Sequence, residues 1–193
     1  MIAFKCRSCV PQSLFPLLFW VPIFLLSIFP HSESTASEYQ QKAEFICDFA
    51  KFVRWPQDEN RDSPLRICIL GKNPFGNALR SLENRSVRGR PVSFRLCPDE
   101  QGADDCHIVF VSALEKERLV SVLSRFRSRP VLTVGEFPGF AAEGGIISLI
   151  RTGDQIRFEI NTEAARRSGL QISSHLLKLA RIVTAPSERN NPQ

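Results

Sequence analysis

The chain has 193 residues, with 25 basic against 20 acidic side chains, and 43% of its positions are apolar and 23% charged. That balance excludes a disordered polypeptide, and the length suits one domain with a flanking segment. The basic excess is small and scattered, which excludes the clustered basic stripe that nucleic-acid binding uses.

Residues 1–36 read as an export signal. Lys5 and Arg7 form a positive n-region, the uncharged run Leu14–Phe29 is the apolar core, and Ser34-Thr35-Ala36 is a small-residue cleavage site. Three prolines interrupt or end the run, which is shorter than the ~20 residues that span a bilayer. The mature start is expected near Ser37. Cys6 and Cys9 then lie in the discarded segment, leaving Cys47, Cys68, Cys97 and Cys106. An oxidising compartment favours disulfides, and four cysteines allow three pairings. Cys97–Cys106 would close a polar loop, and Cys68–Cys106 would staple two strands if those strands are neighbours. Sequence leaves the choice open.

Ser37, with Gln40 three positions on, predicts a helix start, and Phe45, Ile46, Phe49, Phe52 and Val53 predict its apolar stripe. Trp55-Pro56 ends it. LRICIL (65–70) is a strand buried on both faces. Asn73 and Pro74 open a short helix with Ala78, Leu79 and Leu82 on its apolar side. VSFRL (92–96) is a half-buried strand, HIVFVS (107–112) a buried one, 115–127 an amphipathic helix through Leu119, Val122, Leu123 and Phe126, and VLTV (131–134) a further strand. Strands alternating with helices predict a mostly parallel α/β sheet with flanking helices. IISLI (146–150) and QIRFEI (155–160), joined through Thr152-Gly153-Asp154, predict a β-hairpin. A short helix capped by Asn161 or Thr162 and closed by Gly169, then a last helix over 172–183, complete the domain at 38–183. The tail 184–193 is expected to be disordered.

Chemistry-bearing motifs are sparse. Gly71–Gly76 lies at a strand-to-helix turn but lacks the ending of a P-loop and the third glycine of a dinucleotide fingerprint. Cys97, Asp99, Glu100, Asp104, Asp105, Cys106 and His107 crowd one loop without metal-ligand spacing, so it reads as a solvated loop beside a disulfide, and no metal or cofactor is expected. No nucleophile elbow is present. Phe137 and Phe140 either cap the core or face a partner. In 157–161, Phe158 and Ile160 share one face and Arg157, Glu159 and Asn161 the other, which reads as a solvated face or a recognition strip.

Five segments resemble the YfiR family of exported regulators: KAEFICDFAKFVRWP (42–56), SPLRICILGKNPFG (63–76), CHIVFVS (106–112), VLTVGEFPGFAAEGGIISL (131–149) and IRFEINTEAARRSGLQISSHLLKLARIV (156–183). His175 departs from the family pattern, where a Gln is expected. The resemblance implies a Rossmann-like domain in the periplasm, often dimeric. It implies a non-enzymatic regulator that restrains the periplasmic sensor part of an inner-membrane diguanylate cyclase and so lowers cyclic-di-GMP and biofilm formation. A sensor kinase is the other membrane partner it admits. Because the family carries cysteine in both motifs, the resemblance favours Cys68–Cys106. The partner surface it suggests lies on the C-terminal block: Arg157, Glu159, Asn161, Ser173, Ser174, His175 and Lys178, around Phe140 and Ile147. The alternative is a periplasmic small-ligand module feeding a sensor kinase, using the crevice near Gly71 and Gly135 at the C-terminal strand ends.

Overall fold

The computed structural model describes residues 33–56, 63–83 and 85–184. The apolar leader with Cys6 and Cys9, the polar loop 57–62 and the tail from Ala185 lie outside the described residues. Among the described residues no helix is long and apolar enough to cross a membrane.

Helix α1 (Glu33–Phe52) buries Ala43, Ile46, Phe49 and Ala50 along one side. It begins four residues before the expected cap, so Ser37 lies inside the helix. Val53, expected as its last apolar residue, starts strand β1 (Val53–Arg54) instead and pairs antiparallel with Ile172 of β9 (Gln171–Ile172). A β-branched residue two positions before Trp55-Pro56 has little to gain from the helix and a strand partner within reach.

Strands β2 (Leu65–Leu70), β4 (Arg90–Cys97), β5 (Ile108–Val111) and β6 (Leu132–Gly135) pair in parallel. A two-residue strand, β3 (Ser86–Val87), folds back on β4 and extends it beyond the expected 92–96. Between β2 and β3 the expected helix is a 3-10 turn, Gly76–Leu82. Asn73 Oδ1 accepts from the Phe75 N–H at 2.9 Å, which makes a side-chain turn rather than a helix cap. The 115–127 helix is likewise split into a 3-10 turn, Ala113–Arg118, and α2 (Leu119–Phe126), which buries Leu119, Val122 and Phe126.

The hairpin forms as expected. β7 (Ile147–Thr152) and β8 (Gln155–Asn161) pair antiparallel, and Asn161 Oδ1 caps α3 (Thr162–Arg167) by accepting from Ala164 N–H. Gly169, at φ +70°, closes that helix.

The last expected helix does not form. Residues 172–183 divide into β9, one turn of α4 (Ser174–Leu177) and β10 (Arg181–Val183), which pairs in parallel with Glu159–Asn161 of β8. Without β10 the outer edge of β8 would leave backbone donors and acceptors unpaired beside the core. Ile182 and Val183 are β-branched and suited to the pairing.

The eight-stranded order is β10-β8-β7-β6-β5-β2-β4-β3. One face carries α1, the 3-10 turn at 76–82 and α3. The other carries α2 and residues 137–140, together with Cys68, Cys97 and Cys106. The fold is α/β, with a central, mostly parallel sheet and helices on both faces.

Candidate functional site

The chain runs from β2 to β4 on one side and returns to β5 on the other, so the switch point where α/β proteins hold ligands lies beyond Leu70 and Val111. That crevice is filled from within. Gly71 adopts φ +72°, and a Cβ there would sit 2.0 Å from Glu115 Oε1. A carboxylate packed over this turn opposes an anionic ligand, so the phosphate reading of Gly71–Gly76 is set aside.

Beyond the C-terminal end of β6 lies a buried polar cluster. Glu136 accepts from Lys42 Nζ at 2.7 Å and from Ala113 N–H at 3.0 Å, and Lys42 also meets Glu38 at 2.6 Å. Glu38 in turn pairs with Arg151 at 2.7 Å. Lys42 is 5% exposed. Burial alone would lower its pKa, but the hydrogen bonds it donates to Glu136 and Glu38 outweigh burial and hold it above the usual lysine value. Burial would raise Glu38, yet Lys42 and Arg151 outweigh it and hold the carboxyl below its ordinary range. No sequence signal found this cluster, since Lys42 and Glu136 stand 94 positions apart.

The expected partner strip does not form one surface. Arg157, Ser174, His175 and Lys178 are exposed and Ser173 is half-buried. Phe140, Ile147, Glu159 and Asn161 are buried, so the reading of Glu159 and Asn161 as outward residues is corrected. Asn161 Nδ2 donates to Ala141 C=O at 2.8 Å, and the Glu159 carboxylate meets the Arg181 guanidinium from β10. The face carrying them is covered because residues 137–145 fold back over β7, where Ser148 Oγ donates to Phe137 C=O at 3.0 Å. Phe140 is part of the core: a Cβ on Gly135 or Gly145 would come within 2.3 Å or 2.1 Å of its ring. Arg157 shares the strand face of Glu159, whereas His175 stacks on Phe52 of α1 on the opposite side, with ring centroids 5.6 Å apart.

What does come together is α4 with β10. Ser174, His175 and Lys178 are joined by Leu179 and Ile182, which are 65% and 47% exposed. Ile182 pairs with Ile160 and so shares the α1 side of the sheet with α4. Ile172, Leu176, Leu179 and Val183 stand at the spacing of one helix face, which hides that Leu179 is a surface residue.

Cys68 and Cys106 are joined, with Cα atoms 6.0 Å apart and a separation of 38 positions along the chain. Reduction is expected to cost about 2–4 kcal/mol of stability. Urea unfolding with and without a phosphine reductant measures it, and superimposable curves would refute it. Cys47 and Cys97 are buried thiols. Burial pushes Cys47 up to about 11, and burial also raises Cys97, so neither has the lowered pKa of a reactive cysteine. Beside Cys106 an open groove of about 520 Å³ is lined by Trp55, Arg66, Asp105, His107 and Arg129. Its charges are matched: Asp105 pairs with Arg66 and Arg95, and Asp104 with Arg125 and Arg129.

A family model described as YfiR/HmsC-like matches residues 39–181, nearly all of the described domain. The chain belongs to the YfiR/HmsC-like family. That is a family of periplasmic, non-catalytic regulators of diguanylate cyclase signalling. In this YfiR/HmsC-like chain the Phe158-Glu159-Ile160-Asn161 segment has structural work at every position. Phe158 and Ile160 pack under α1, Glu159 anchors β10, and Asn161 caps α3 while holding Ala141.

Among solved structures, an ABC domain in complex with L-Trp from Streptococcus pneumonia aligns at a TM-score of 0.50 and 13% identity, over 75% of this chain and 60% of that one. A conserved domain protein from Vibrio cholerae O1 biovar El Tor aligns at 0.48 and 13%, over 75% and 59%. The chain thus spans about three fifths of each, and the first likeness concerns the α/β fold alone.

Proposed function

We propose that this domain is a non-enzymatic periplasmic repressor that binds the sensor part of an inner-membrane diguanylate cyclase, keeping cyclic-di-GMP low and restraining biofilm formation. The family match over 39–181 carries this reading. The Glu115 side chain over Gly71 supports it against the ligand-module alternative, because the usual crevice of an α/β sheet is already filled. Export by a cleaved leader and assembly as a homodimer belong to the same proposal. N-terminal sequencing of the secreted protein and its mass by light scattering test these two parts.

The partner surface is proposed on α4 and β10. Leu179 and Ile182 supply the apolar centre, and Ser174, His175 and Lys178 supply the polar rim that interfaces use. Leu179→Asp is expected to weaken binding to the cyclase sensor domain at least about tenfold, a loss of roughly 1.4 kcal/mol. Cellular cyclic-di-GMP is expected to rise as it does on gene deletion. Circular dichroism should stay native, because Leu179 is 65% exposed. A folded Leu179→Asp protein that pulls down the partner as well as wild type would remove this surface. Unchanged cyclic-di-GMP after deletion would remove the repressor reading itself. Glu159→Lys is unsuited as a probe: it would set a second cation against Arg181 in a buried position.

A further inference from the structure

We propose that Cys68, Cys97 and Cys106, once the disulfide is opened, form a three-thiolate site for a soft d10 cation, and that monovalent copper is the cation it takes. The three sulfur atoms lie within 4.8 Å of one another and all three residues are buried. Spacing along the chain gives no hint of this, because the ligands come from β2, the end of β4 and the segment before β5. The sheet register brings them together. Cys68 and Leu70 on β2 stand opposite Arg95 and Cys97 on β4, all on one face, and the chain then returns across that face to Cys106.

The disulfide uses two of these sulfurs. Cys97 is the third: its thiol donates to the Gly102 carbonyl at 3.3 Å and also meets the Arg95 side chain. Opening the bond needs a reductant, here a dithiol. It becomes a disulfide as two electrons and two protons pass to Cys68 and Cys106. Binding of the cation then displaces the three thiol protons to solvent.

A metal–sulfur distance of about 2.3 Å puts sulfurs sharing one ion about 4 Å apart. Once the bond opens, side-chain rotation has to part the Cys68 and Cys106 sulfurs by about 2 Å, while the Cys97 sulfur, within 4.8 Å of both, has to shift by under about 1 Å. Metal coordination also escapes the narrow Cα–Cα range that a disulfide demands. An all-sulfur donor set selects soft cations over calcium, magnesium or manganese. The number of donors decides between the soft ones. Structural zinc takes four ligands. The Asp105 carboxylate stands 4.0 Å from Cys106 Sγ and is already paired with Arg66 and Arg95. Three thiolates satisfy monovalent copper. The Arg95 guanidinium, 3.3 Å from Cys106 Sγ, offsets part of the remaining negative charge. Cys106 lines the open groove, which gives the ion a route in. Cys47 packs in the cluster on the other face of the sheet and takes no part.

The test uses the periplasmic protein, reduced with a phosphine, desalted under argon and titrated with Cu(I) against bicinchoninate. The expected result is one tightly held ion per chain, with three sulfur neighbours at about 2.3 Å by copper X-ray absorption. Cys97→Ser is expected to weaken binding at least about tenfold and leave two sulfur neighbours, Cys47→Ser to change nothing, and the disulfide-intact protein to bind none. Two sulfur neighbours in the wild-type protein overturn the site, and that reading does not depend on any variant folding. A Cys97→Ser titration superimposable on wild type also overturns it. Tight uptake of one Zn(II) with weak uptake of Cu(I) overturns the choice of cation.

Discussion

Phe140→Ala is expected to lower the stability of the domain by about 3–5 kcal/mol, the range for deleting a buried aromatic ring. The ring is fully buried, meets Phe137 edge-on with centroids 5.4 Å apart, and lies against Gly135 and Gly145. Two backbone segments approach it where no Cβ stands between, so the cavity left by alanine has rigid walls. The same contact predicts a loss from the opposite change. Gly145→Ala drives a methyl to within 2.1 Å of the ring and should cost roughly 1–3 kcal/mol or more. Urea unfolding of both variants, with the exposed Leu179→Ala as a reference held within about 0.5 kcal/mol of wild type, checks this. A Phe140→Ala midpoint equal to that of the reference would show that the ring is not part of the core.

Lys42→Met should be nearly as damaging, at about 3–5 kcal/mol, because it leaves the Glu136 carboxylate buried without its cation. The double variant Lys42→Met with Glu136→Gln should recover a large part of that loss, since an apolar and a neutral group replace an interrupted pair. If the double variant is as unstable as the sum of the two singles, the pair is not coupled and the prediction is wrong. The same cluster sets a pH window. Lys42 is raised in the folded state, so its contribution is complete below the unfolded lysine value of about 10.4 and is lost as pH rises through the folded one. Glu38 is lowered, so its contribution is complete above the unfolded glutamate value of about 4.3 and is lost as pH falls through the folded one. Stability from this cluster should therefore be flat between those limits.

Strands buried on both faces, such as Ile67–Leu70 and Ile108–Val111, announced themselves as apolar runs. The hairpin did so through its turn at Gly153-Asp154, and the disulfide through the family resemblance. The C-terminal block was misread for two reasons. Ile172, Leu176, Leu179 and Val183 fall at helical spacing by coincidence, and only the open edge of β8 decides that Arg181–Val183 becomes a strand. Alternation in β8 was read correctly as two faces, but nothing local reveals that residues 137–145 cover the polar one. The Lys42–Glu136 pair and the three-sulfur cluster were invisible for a related reason: each joins side chains that only the sheet topology brings together.

The pairing of Val53 with Ile172, and of Phe45 and Phe49 with Phe158, ties the start of the domain to its end. A chain synthesised N-terminus first exposes the apolar side of α1 long before its counterpart arrives. Closure therefore waits for the final third of the polypeptide, and loops of that span slow folding more than they weaken the folded state. The delay makes the newly made helix a natural substrate for holding chaperones, and makes C-terminal truncation before Val183 more harmful than the small size of the last strand suggests.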